Sequence, residues 1–126
     1  DILEQFIVFS ELLSDVIIKK CMLFIMKNDI QPMWEDDNNK NGGCFSYKIQ
    51  NENVVSVWKN LSYRLIGNSL LKPGTVNTIS GITISPKRNF CIIKIWLQNC
   101  KHKDSSIITN IDHMTSQQCI FKKHIN

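Results

Sequence analysis

Apolar and polar residues alternate in blocks along the chain, and each block carries its own period. Ile2, Phe6, Phe9 and Leu13 recur every three or four positions, which predicts an amphipathic helix over residues 2–13. The apolar run 21–27 predicts a strand. Residues 28–43 are polar and turn-rich and end in Asn41-Gly42-Gly43, which predicts a loop. In 44–50 the period becomes two: Phe45, Tyr47 and Ile49 alternate with Cys44, Ser46 and Lys48, as in a strand with one buried face. Val54, Trp58, Leu61 and Leu65 form one stripe of a helix over 52–70, with Asn51 or Asn53 as N-cap and Lys72-Pro73-Gly74 as its stop. Two strands follow, 79–85 and 90–97, joined by a hairpin at Ser85-Pro86-Lys87-Arg88-Asn89. Asp104 or Ser105 caps a short helix running through Ile111, and a last strand covers 117–122.

The order α-β-β-α-β-β-α-β, with short connections, predicts an antiparallel sheet with helices on one face, an α+β architecture. The other face would carry Cys44, Ser46, Lys48, Thr83, Ser85, Lys94 and Trp96. A tryptophan there is unusual, because strand parity sets it opposite the aliphatic side. The chain has 126 residues, 43% hydrophobic and 21% charged, which suits one ordered domain over 1–126 with a core needing neither disulfide nor metal. No apolar run is long enough to cross a bilayer, and no signal peptide is visible. Five cysteines, an odd number with no CxxC, suit a reducing, cytoplasmic setting. Cys100 and His102 stand two apart, with His113 and His124 beyond, but no second tight ligand pair accompanies them. No metal and no cofactor are expected.

Enzyme signatures are missing: there is no GxSxG, Walker loop, HExxH or GxGxxG. The chain is therefore read as a binding protein rather than an enzyme. Trp34 sits in a loop between Pro32 and the acids Glu35, Asp36 and Asp37, an expensive place for a large aromatic unless it plugs the core. Lys87 and Arg88 mark the tip of the hairpin whose second strand carries Trp96. Tryptophan faces attract cations and stack on bases, a carboxylate accepts paired N–H donors, and Lys and Arg neutralise phosphates. Together these residue types suit a positively charged purine bearing a phosphate tail. The net charge of +4 agrees with an anionic partner but points to it only weakly.

These residues resemble the eukaryotic translation initiation factor 4E family, the messenger-RNA cap-binding proteins. The stretch Ile30-Gln31-Pro32-Met33-Trp34-Glu35-Asp36-Asp37-Asn38-Asn39-Lys40-Asn41-Gly42-Gly43 is similar to the family's cap-loop signature. Trp58 through Ser69 is similar to its second dorsal helix, and Gly81 through Trp96 to its strand–hairpin–strand ending in Ile-Trp. The resemblance implies a curved antiparallel sheet with about three helices on its convex face and an open concave ligand face. It implies that Trp34 stacks on 7-methylguanine and Glu35 accepts the N1 and N2 hydrogens. The Trp34 backbone N–H would meet the base carbonyl, and Trp96 the N7 methyl group. Lys87 matches a phosphate-binding arginine, while two further phosphate-site lysines of the family fall on Asn89 and Ile92; Arg88, adjacent on the hairpin, and Lys94, on the Trp96 side by strand parity, are expected to substitute for them. Capped mRNA is the implied ligand, with a scaffold initiation factor or 4E-binding protein on the helical face; neither DNA nor a membrane is implied.

Departures accompany the resemblance. The family's N-terminal strand and second stacking tryptophan fall ahead of Asp1. The arginine after Gly-Gly is Cys44. On the dorsal face, the partner-gripping positions fall on Leu3, Ile7, Lys59 and Tyr63, and Lys59 places charge in that groove. Two other readings stay open: a regulatory or interaction protein that kept the fold without the cap, and a general single-stranded RNA binder using the same face.

Overall fold

The computed structural model describes residues 15–27, 29–75, 78–101 and 103–124. The predicted helix over 2–13, with Leu3 and Ile7, lies outside the described residues. Five strands form one curved sheet: β1 (Leu23–Met26), β2 (Gly43–Gln50), β3 (Ile79–Pro86), β4 (Phe90–Leu97) and β5 (Cys119–Lys123). Their order is β1-β3-β4-β2-β5, and every neighbouring pair is antiparallel. Two helices, α1 (Asp15–Lys20) and α2 (Val54–Ile66), pack side by side.

Period-two alternation puts Phe45, Tyr47 and Ile49 of β2, Ile82 and Ile84 of β3, and Cys91, Ile93, Ile95 and Leu97 of β4 on the helix side, all buried. Val54, Val57, Trp58, Leu61 and Leu65 of α2 close over them, and Ile18 of α1 joins the same cluster. Burying each large side chain contributes ~1.5–3 kcal/mol, so the stripe on α2 holds the helix down far more strongly than helix propensity does. Trp58 is part of this core.

Two predicted helix ends are corrected. Helix α2 stops at Ile66, well before Lys72-Pro73-Gly74. Asn68 takes a left-handed conformation (φ 56°), the Ser69 N–H donates to Arg64 O (2.8 Å), and the Asn68 N–H donates to Leu65 O (3.2 Å). Those are the bonds of a Schellman cap, so the last carbonyls are satisfied there. The helix expected through Ile111 is one 3-10 turn, Ser105–Ile107, capped by Asp104, whose carboxylate accepts the Ser106 N–H (2.9 Å). It goes no further because the backbone pairs sideways: Ile107 O accepts from Lys72 N–H, and Thr109 N–H donates to Leu70 O, each 2.8 Å. Among the described residues there are two α-helices, α1 and α2, and the expected helix over 2–13 is not among those residues. Residues 15–20, to which the pattern assigned no element, are helical.

The opposite face of the sheet is set by register. Phe24 pairs with Thr83, Thr83 with Lys94, Lys94 with Ser46 and Ser46 with Ile120, giving one row across all five strands. The neighbouring row runs Met26, Gly81, Trp96, Cys44, Lys122. Same-face rows lie ~7 Å apart.

Candidate ligand groove

The loop between β1 and β2 is built by its own short side chains. The Asp36 carboxylate accepts the backbone N–H groups of Gln31 (3.0 Å) and Asn38 (2.9 Å), and the Asn38 side-chain amide as well (3.2 Å). Those bonds, the one from Gln31 first, hold its carboxyl below the ordinary carboxylate range, because each favours the ionised form. Asn39 is fully buried, and its amide donates to Gln31 O (2.9 Å) and Met33 O (3.0 Å). The loop re-enters the sheet at Gly42, where a Cβ would overlap the Leu97 carbonyl, so this close approach requires glycine. Between these staples Trp34 and Glu35 are displayed rather than tucked in: Trp34 is 49% exposed and Glu35 is exposed. The plug against the core, the ordinary alternative for Trp34, is not what the chain does.

Trp34 and Glu35 border a groove of about 450 Å³. Its rim includes Pro32 and Met33 of the loop and Phe24 of β1. Thr83, Ser85, Lys94 and Trp96 come from β3 and β4. Trp96 differs from its expected role as an open aromatic. It is on the groove side but only 7% exposed, and its indole N–H donates to Thr83 Oγ1 at 3.0 Å. It is a held, largely covered ring.

Of six predicted ligand residues, the groove brings Trp34, Glu35, Trp96 and Lys94 together. Lys87 and Arg88 are exposed on the hairpin just past Ser85 and do not line it. The hairpin closes with the Lys87 N–H donating to Phe90 O (2.8 Å). Positive charge therefore stands on the floor and beyond one end, while the Glu35 carboxylate stands beside the two tryptophans. On the helical side, Lys59 and Tyr63 share one side of α2, a turn apart.

Some contributors were not singled out in the sequence for this site. His124 ties three parts together: its Nδ1–H donates to Asn39 O (2.7 Å), its Nε2 lies 3.1 Å from Cys44 Sγ, and its ring packs on Trp96. In the tautomer that carries its proton on Nδ1, Nε2 is the acceptor for the Cys44 S–H. Burial pushes the Cys44 thiol up to about 12, only partly opposed by Lys94, so it is a neutral donor at the position where the family has an arginine after Gly-Gly. Asn39 and Asp36 were legible in principle, since short Asx side chains in a polar loop are the usual staples of its backbone. Among the described residues, no three His, Cys, Asp or Glu side chains gather as a metal site.

The family model for eukaryotic initiation factor 4E matches residues 1–125, and the chain belongs to that family. It is 32% identical over 77 residues to eukaryotic translation initiation factor 4E-2 of Schizosaccharomyces pombe, covering 60% of this chain and 31% of that one. It is 37% identical over 62 residues to a eukaryotic translation initiation factor 4E homolog of Acanthamoeba polyphaga mimivirus, covering 48% of this chain and 23% of that one. These matches span about a quarter to a third of the relatives' length. The fold superposes on a C. elegans eIF4E-3 solved with the 4E-binding protein Mextli and a cap analog, with TM-score 0.75, 16% identity, and 96% and 73% of the two chains covered. A Schistosome eIF4E solved with m7GpppG and 4E-BP superposes with TM-score 0.66, 24% identity, and 82% and 58% covered.

Proposed function

We propose that this chain, as a single domain over 1–126, binds the 7-methylguanosine cap of mRNA and acts in translation initiation or its control, in the cytoplasm and without a cofactor. One observation carries the reading: an exposed Trp34 and an exposed Glu35 on a stapled loop, beside a groove floored by Trp96 and Lys94. The N7-methylated base is a delocalised cation, which a tryptophan face attracts by ~0.5–2 kcal/mol more than a neutral ring. The Glu35 carboxylate takes the paired N1 and N2 hydrogens, a charge-assisted contact. Trp96, its N–H already spent on Thr83, offers the N7 methyl an apolar edge. Lys94, then Lys87 and Arg88, lie along the path a phosphate chain takes from the base toward the hairpin. No bond is made or broken in this reading; the chemistry is recognition.

Capped complexes with 4E-binding proteins among the structural neighbours support the same choice of partners: capped mRNA in the groove, and a scaffold factor or 4E-binding protein on the helical face at Leu3, Ile7, Lys59 and Tyr63. Titration with 7-methyl-GTP and with GTP, followed by tryptophan fluorescence, tests the cap reading. At least tenfold tighter binding of the methylated nucleotide is expected. Equal, weak responses would instead favour a fold kept for protein contacts or for unselective RNA binding.

A further inference from the structure

Phe24 is the exposed large apolar side chain of β1. Leu23 and Ile25, paired with Ile84 and Ile82, pack toward the helices. Phe24, between them, faces the groove and is 59% exposed. Its cross-strand partner is Thr83, the residue that fixes the indole of Trp96. Next along the same row is Lys94. A phenyl ring held at that position is costly in water, and strand pairing prevents it from turning inward without a one-residue slip of the whole strand. The groove thus has two exposed aromatic rings, Trp34 on the loop and Phe24 on the edge strand, with Trp96 largely covered among its lining.

We propose that Phe24 is a second aromatic wall of this groove, stacking on the base that Trp34 also covers; this rests on the cap reading above. The occupant follows from the company Phe24 keeps. A flat, positively charged ring with a phosphate tail satisfies the Trp34 face, the Glu35 carboxylate and the Lys94 ammonium at once, whereas an aliphatic segment leaves both charges unmatched. Phenylalanine has a weaker face for cations than tryptophan. Phe24 therefore contributes to holding the base more than to choosing the methylated form, and that choice stays with Trp34 and Glu35.

Calorimetric titration of the 126-residue chain with 7-methyl-GTP, beside Phe24→Leu, Phe24→Trp and Trp34→Ala, tests the assignment. Leucine keeps apolar bulk on the strand and removes the ring, and circular dichroism checks that each variant folds. The expected result is that Phe24→Leu weakens binding about five- to hundredfold, from the alanine costs of base–aromatic stacking. Phe24→Trp is expected to equal or exceed the unaltered chain. If Trp34→Ala abolishes binding while Phe24→Leu binds as tightly as the unaltered chain, Phe24 is no wall and the cap reading stands. If the unaltered chain shows no preference for 7-methyl-GTP over GTP, the cap reading falls and this assignment with it.

Discussion

The ring of His124 lies 5.1 Å from that of Trp96, inclined at 46°, while its two nitrogens engage Asn39 and Cys44. One side chain near the end of β5 thereby braces the groove floor and the loop that carries Trp34. Replacing it with alanine removes two hydrogen bonds worth ~0.5–1.5 kcal/mol each, plus the ring contact. His124→Ala should lower the urea midpoint accordingly and reduce the near-ultraviolet dichroism of Trp96. An unchanged spectrum and midpoint would mean that the brace is incidental.

The Asp36 staple has a defined acid behaviour. Its folded carboxyl titrates below its ordinary 3.8, because the N–H groups of Gln31 and Asn38 favour the charged form. A depressed acid contributes stability above its unfolded value and loses it as pH falls through the folded one. The amide proton shifts of Gln31 and Asn38 should therefore move together, with a midpoint below that of an ordinary aspartate. Asp36→Asn should remove that titration and loosen the loop; separate midpoints for the two amides would dissolve the shared staple.

At the alkaline end the sign reverses. Cys44 is raised to about 12 by burial, and burial also raises Tyr47, Cys91 and Cys119. These groups stay protonated in the folded chain while their unfolded counterparts ionise, so stability is intact below pH 8–9 and falls above it. For Cys44 the slope is ~1.4 kcal/mol per pH unit where the thiol is ionised in the unfolded chain and still protonated in the folded one, and the other three act in the same direction. Urea midpoints should drop between pH 9 and 10, and Cys44→Ala should flatten the slope even if it lowers the midpoint at pH 7.

The left-handed cap of α2 makes a backbone prediction. Asn68 sits at φ 56°, where a Cβ-bearing residue without a short polar side chain is strained by ~1–2 kcal/mol. Asn68→Ala should lower the melting temperature, and Asn68→Gly should leave it unchanged or raised. Equal behaviour of the two variants would contradict the cap.

What could be read in advance follows the range of the forces involved. Strands β2, β3 and β4 were legible because Phe45-Tyr47-Ile49 and Ile93-Ile95-Leu97 alternate against a single buried face. Trp34 and Glu35 stood out as candidates through a contiguous loop signature, and the structure brings both to the groove. The end of α2 was not, because Asn68 ends the helix by local hydrogen bonding before Pro73 acts. Nor was the 3-10 turn at Ser105, whose fate depends on pairing with Leu70 and Lys72 across the fold. His124 reaches Cys44 and Asn39 over 80 and 85 residues, and no spacing rule announces such a contact. Phe24 was hidden for the same reason: its run 21–27 reads as uniformly apolar, and only pairing with β3 says which side it faces.

Lys94, Lys87 and Arg88 differ in how far they are withdrawn from water. Lys94 lines the groove, partly buried beside Thr83 and Trp96, whereas Arg88 is exposed on the hairpin. A partly desolvated charge acts in a lower dielectric, so its contact with a phosphate is stronger than that of an exposed one. Lys94→Ala should weaken 7-methyl-GTP binding by about tenfold, ~1.4 kcal/mol, while Lys87→Ala and Arg88→Ala each cost about threefold or less. The free nucleoside 7-methylguanosine, which has no phosphate, should bind the unaltered chain and Lys94→Ala alike. If the nucleoside loses as much as the triphosphate, Lys94 supports the floor rather than the phosphates. If Arg88→Ala combined with Lys94→Ala leaves triphosphate affinity unchanged, neither residue holds phosphate, and the tail leaves the groove by another path.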